Sequence, residues 1–298
     1  MITINNIQIT IHNIQDLSNI VIRHGLNYEQ IFDIRVDPLF ILDNLDDSEF
    51  QTICNFIDQC INLQSIYLPN INLIVLDNMH RLQPLYDAIR RCTRLELLNL
   101  SGLNTENVNS FQLEKLSVFI SSFAKLRSLN LSWFSLRNLD LKDAQIIWNT
   151  IVDSPNLQTV NLVGVGLDEL NAEHFKAICN MIRKCKYLKK LELHQIELED
   201  LELKHFNMLC DAINKSLALV CCSFEFKQDD MCKRNQIIEQ ILQKKQASIS
   251  RDIEMIPYFS TKQKSKSQCC GKRTREESDG DTFKLSPSDS CCTTFLRP

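Results

Sequence analysis

The stretch Leu126-Arg127-Ser128-Leu129-Asn130-Leu131-Ser132-Trp133-Phe134-Ser135-Leu136 decides the fold. Apolar residues fill its first, fourth, sixth, ninth and eleventh positions. The alternation around Leu129 and Leu131 predicts a short strand with one apolar face. Upstream the same frame begins at Leu95 (Leu98, Leu100, Leu103, with Thr105 in the last slot) and at Leu63 (Ile66, Leu68, Ile71, Leu73). Downstream it begins at Leu157 (Val160, Leu162, Val165, Leu167) and at Leu188 (Leu191, Leu193, Ile196, Leu198). A degraded copy starts at Ile31 (Ile34, Val36, Leu39, Ile41), and a remnant starts at Leu219 (Cys222, Phe224). Successive starts lie 31 or 32 residues apart, a regularity that marks an internal repeat.

A segment with helical apolar spacing precedes each frame, as in Phe50, Ile53, Phe56 and Ile57, or Phe175, Ile178 and Ile182. One strand and one helix per repeat cannot bury their apolar faces alone, so the units must stack. Residues 31–226 resemble the leucine-rich repeat family, in its longer, ribonuclease-inhibitor-like form. The resemblance implies an α/β solenoid, or horseshoe, with an inner parallel sheet and outer helices. It also implies a protein partner on the concave face. The family carries Asn or Cys at the ninth position of the frame, where this chain has Ile71, Leu103, Phe134, Val165 and Ile196. Apolar packing is therefore expected to hold that turn.

The expected organisation is an N-terminal cap over 1–30, the solenoid over 31–228, a capping helix region over 229–258 and a disordered basic and cysteine-bearing tail over 259–298. Composition narrows the function. The 298 residues carry 33 basic and 37 acidic side chains, a formal charge of −4, which gives no whole-chain reason to expect specific nucleic acid. The six glycines form neither GxGxxG nor GxxxxGK[ST], so the usual phosphate loops are missing. Neither a membrane-spanning segment nor a signal peptide is expected. Thirteen cysteines without CxxC pairs predict neither a zinc site nor a closed disulfide set. Cys60, Cys92 and Cys185 stand three residues before a frame, and Cys54, Cys179 and Cys210 stand in the helical segments. All six read as buried thiols packed as small hydrophobes. The six histidines are scattered and build no catalytic signature, so the chain reads as a non-enzyme, a monomer, without cofactor or metal.

The residue between the fourth and sixth positions should face the concave side. In order these are Arg35, Tyr67, Asn99, Asn130, Asn161, Glu192 and Ser223. Arg127, Trp133, Lys189 and His194 stand in neighbouring exposed slots and complete the candidate protein-binding set. Two readings stay open for the asparagines, partner binding or mutual satisfaction of their own amides. Two also stay open for Trp133, an interface anchor or packing on the turn of the next repeat.

The tail holds six positive charges from Lys262 to Arg275, the pairs Cys269-Cys270 and Cys291-Cys292, and an acidic block after them. Acylation of Cys269, Cys270, Cys291 and Cys292, helped by the basic run, would attach the chain to an anionic membrane surface. The basic run also reads as a nuclear-import signal. The end, with Glu276-Glu277 and a terminal apolar Leu296, resembles the translocation signals of bacterial type IV effectors of the Legionella kind. That resemblance implies a protein cytosolic in its producer and secreted into a host cell. The alternatives are a membrane-tethered adaptor and an enzyme whose site lies outside the familiar signatures.

Overall fold

A computed structural model of the chain describes residues 7–14, 17, 27–40, 42–74, 80–134, 136, 139–166, 170–193, 201–223 and 233–254. Eight strands, β1 (Ile7–Ile11), β2 (Ile31–Val36), β3 (Ser65–Tyr67), β4 (Leu97–Asn99), β5 (Ser128–Asn130), β6 (Thr159–Asn161), β7 (Lys190–Glu192) and β8 (Cys221–Ser223), form one parallel sheet in chain order. Between them run α1 (Asp47–Gln59), α2 (Leu82–Arg90), α3 (Ser110–Ser121), α4 (Leu141–Asp153), α5 (Ala172–Lys184) and α6 (Leu203–Lys215). A longer α7 (Lys233–Glu254) packs on α6. This is a leucine-rich-repeat α/β solenoid, as the frame predicts.

Strands β3 to β8 are only three residues long, and in each repeat the fourth and sixth positions face the helices. Ile66, Leu98, Leu129, Val160 and Leu191 sit at the fourth position, and Leu68, Leu100, Leu131, Leu162 and Leu193 at the sixth, all buried. Each helix covers this row with its own apolar stripe, such as Phe175, Ile178 and Ile182 of α5. The registers join equivalent positions, so Arg35, Tyr67, Asn99, Asn130, Asn161, Glu192 and Ser223 lie side by side across the sheet.

A second periodic signal starts the helices. Asp46, Asn109, Asp140 and Asn171 each accept a backbone N–H from the first helical turn, and Asp46 with Glu49 and Asn109 with Gln112 close reciprocal capping boxes. At the far end Lys245 of α7 donates to the carbonyls of Ile213 and Ser216, capping the C-terminus of α6.

Cys54, Cys60, Cys92, Cys179 and Cys185 are buried, Cys210 is half-buried and Cys221 is exposed. Burial pushes each of the five buried thiols up to about 12, which removes the thiolate and leaves a small apolar group.

One apolar slot departs from the frame. Leu39, in the ninth position of the degraded first copy, is 90% exposed, whereas Ile71, Leu103, Phe134 and Val165 are buried. The eighth position explains the difference. Asn70, Gly102, Trp133 and Gly164 hold it at φ between 59° and 71°, and the first copy has Pro38 there, whose ring fixes φ near −65°. The chain therefore turns differently after Asp37, and Leu39 swings outward.

Candidate functional site

The sheet face away from the helices carries two rows. The sequence frame marked the fifth position, and strand alternation brings the third beside it: Asp33, Ser65, Leu97, Ser128, Thr159, Lys190 and Cys221. The period-two rule applied two residues earlier would have found this second row. At a strand spacing of about 4.8 Å, the fifth-position row from Arg35 to Ser223 spans roughly 30 Å.

The ends of the face are charged but internally paired. Arg35 grips Asp33 through two hydrogen bonds of 3.1 and 3.2 Å and lies 4.4 Å from the ring centroid of Tyr67. The bond to Asp33 raises the guanidinium pKa, with burial opposing it, and desolvation raises the Tyr67 hydroxyl. At the other end Lys190 pairs with Glu192 along the same strand. Between these ends stand Leu97, Ser128, Thr159 and the three asparagines, an uncharged polar centre.

The asparagines are partly committed. Oδ1 of Asn99, Asn130 and Asn161 accepts the backbone N–H two residues on, at 2.9, 2.8 and 2.9 Å. These bonds turn the chain out of each strand, so the turn is held by fifth-position asparagines together with the buried ninth-position side chains. What the row offers a ligand is the amide NH₂ of each residue.

Trp133 combines the two roles that the sequence left open. Its backbone stands at φ 62°, a conformation that costs an L side chain and that Gly102 and Gly164 occupy without cost in the flanking repeats. Its N–H donates to the Val163 carbonyl at 2.6 Å. The indole lies on Gly164, where an added Cβ would fall 2.7 Å from Cε3, and yet the residue remains 55% exposed. One part of the ring packs on the next repeat and the rest is open.

Not every candidate lies on the strand face. Arg127 and Lys189 precede β5 and β7 at the rim where helices run into strands, and Arg127 bonds Glu96 of the preceding repeat at 3.2 Å. Trp133 lies at the opposite rim, after β5. β5 and the turn after it separate Trp133 from Arg127, which stand at its two ends, so the two do not form one cluster. His194 and the tail residues Cys269, Cys270, Cys291 and Cys292 lie outside the described residues.

Among the described residues, His, Cys, Asp and Glu side chains nowhere gather in threes as a metal centre needs. A groove between the starts of α4 and α5, lined by Asp140, Asn171 and His174, lies on the helix side. The ring nitrogens of His174 are both engaged, 2.9 Å from Asn171 Oδ1 and 3.1 Å from the Leu139 carbonyl oxygen.

No family profile matches the sequence, and no curated protein matches it either. Solved structures are similar to it to different degrees. The leucine-rich repeat-containing protein LegL7 of Legionella pneumophila superposes with a TM-score of 0.55 at 17% identity, over 82% of this chain and 74% of that one. The tropomodulin C-terminal domain of Caenorhabditis elegans superposes with a TM-score of 0.33 at 11% identity, over 69% of this chain and 98% of that one. The actin-binding site 2 of leiomodin-1 gives 0.33 at 10% identity, over 70% and 97%. At 17% identity the likeness to the Legionella protein is one of fold alone.

Proposed function

We propose that the repeats are a non-catalytic protein-binding module whose partner lies along the open sheet face and against the Trp133 rim. Trp133 carries this reading. A half-exposed indole held in a left-handed conformation costs stability, and flanking repeats show that glycine meets the same backbone need without cost. Strained, exposed residues cluster where a surface is used, and tryptophan leads the residues that anchor interfaces. The amides beside it are uncharged, and the whole fifth-position row from Arg35 to Ser223 is long enough for a protein segment.

The chain further acts, in this proposal, as an effector made in a bacterial cytosol and delivered to a host cell. The acidic block and terminal apolar residue of the tail support delivery, and the fold likeness to a Legionella repeat protein fits it. The experiment is a comparison of wild type, Trp133→Gly and the helix-face control Lys142→Ala with Lys176→Ala in cross-linking and pull-down from host lysate. A partner captured by wild type and the control but lost with Trp133→Gly is the expected result. Capture indifferent to Trp133 and lost in the helix-face control would place the interface on the helices. A reporter enzyme fused to the chain, read inside host cells with and without residues 259–298, tests delivery.

A further inference from the structure

Many charges of the repeat body follow the helix ends, with Asp58, Asp153 and Asp211 at the helix C-terminal rim and Lys142 and Lys204 at the helix starts as exceptions. Eight of the 33 basic and five of the 37 acidic residues fall in 259–298, which leaves 1–258 with a formal charge of −7. At the rim where strands run into helices stand Asp46, Asp47, Glu49, Asp140, Asp143 and Glu173. Their place is explained by helix starts: they cap the first turn or face the positive end of the helix dipole. At the opposite rim some cations have the complementary explanation, because Arg90, Arg183, Lys184 and Lys215 lie in the last turns of their helices.

Four cations are left over. Arg94, Lys125, Lys186 and Lys189 lie past the helix ends and before β4, β5 and β7, all exposed, and none has a carboxylate partner among the described residues. Their neighbours Arg127 and Lys190 are by contrast paired, with Glu96 and Glu192. Neither capping nor helix dipole nor ion pairing accounts for the four. They span three strand spacings, about 14 Å, and Tyr187, 54% exposed, stands among them. On a body with net negative charge, an unneutralised positive strip orients an approaching partner.

We infer that this rim binds an acidic polypeptide segment of the protein partner, with intermittent carboxylates on Arg94, Lys125, Lys186 and Lys189 and an apolar side chain on Tyr187. The inference rests on the reading of the chain as a protein-binding module and adds the chemistry of the partner. A polypeptide fits better than a nucleic acid. The strip is broken at the intervening repeat by Asp153, Asn156 and Gln158, whereas duplex DNA presents a charge about every 1.7 Å and would meet Asp153 and the net negative body. Spaced carboxylates leave that gap empty.

The test is anisotropy titration of a labelled oligoglutamate peptide into the full chain. Lys262, Lys264, Lys266, Lys272, Arg273 and Arg275 are all changed to glutamine beforehand, so that the tail does not compete. The expected result is salt-sensitive binding that weakens at least about tenfold when Arg94, Lys125, Lys186 and Lys189 are all changed to Glu, and less than about twofold with Lys142→Glu and Lys176→Glu on the helix side. Unchanged melting of the rim variant shows that it folds; if it melts early, the neutral Gln series replaces it. Equal loss in the two variants, no loss in the rim variant, or tighter rim binding of duplex DNA or phosphatidylserine vesicles overturns the inference. Trp133→Gly should leave oligoglutamate binding intact. A Trp133→Gly chain that keeps its protein partner while the rim still discriminates would sink the sheet-face reading and spare the rim.

Discussion

The indole of Trp133 occupies the space that a side chain on Gly164 would need, with Cδ2 and Cε3 of the ring 2.9 and 2.7 Å from where that Cβ would stand. Gly164 therefore cannot take a side chain while the ring stays in place. Gly164→Ala would force an alanine into φ 70° and push the ring away. The conformational cost alone is about 1–2 kcal/mol, and chemical denaturation should show at least that loss. The chain has two tryptophans, and Trp148 is buried in α4. A red shift of emission should therefore report the displaced Trp133. Wild-type stability in Gly164→Ala would refute this packing.

Trp133→Gly tests the converse. Glycine takes the left-handed backbone freely, which offsets the lost contact with Gly164, so stability should stay within about 1 kcal/mol of wild type. Partner binding should weaken by about 2 kcal/mol or more. A variant that unfolds, with binding to the residual folded fraction unaltered, would show that the tryptophan serves only packing.

The apolar frame was legible because it repeats a simple geometric need, one inward residue at every second strand position and a helix to cover it. Its limits are equally physical. The register of Leu39 looked like that of Phe134, but Pro38 cannot take the backbone of Trp133, and side-chain pattern alone does not announce a backbone angle. The third-position row was readable from strand alternation and was hidden by the residues themselves, since Ser65, Ser128 and Thr159 carry little character. The capping series Asp46, Asn109, Asp140 and Asn171 was present in the sequence at the repeat period. The double commitment of the asparagines, oxygen to their own turn and amide to the open face, depends on a side-chain rotation that no spacing encodes.

The contrast between two apolar slots of the frame, one buried and one exposed, makes a stability prediction. Leu131 is fully buried at the sixth position between neighbouring repeats, and Leu131→Ala should cost roughly 2–5 kcal/mol. Leu39→Ser, in an apolar slot of the same frame, should change stability by less than about 0.5 kcal/mol, because the side chain is already in water. Urea denaturation of the two variants side by side decides the matter. Comparable losses would mean that the first copy closes its turn like the others.

The buried thiols predict a pH dependence with a definite sign. In the unfolded chain a cysteine ionises near its ordinary value of 9.0, whereas burial holds Cys54, Cys60, Cys92, Cys179 and Cys185 protonated up to about 12. Below pH 9 both states keep these protons, and the thiols give stability no slope. Above it the unfolded chain releases protons that the folded chain retains. The unfolded state then binds fewer protons, and stability must fall as pH rises from 9 toward 12. The denaturation midpoint should show that fall. Cys60→Ala with Cys92→Ala, less stable at neutral pH because of the cavities left behind, should lose stability less steeply over the same window. Peptide mapping after brief maleimide treatment of the native chain near neutral pH supplies the second reading: among the body cysteines, Cys221 should be labelled and these five should not. Equal alkaline slopes in the two proteins, or native labelling at Cys92 as fast as at Cys221, would place the thiols in water and undo the inward packing of the helix ends.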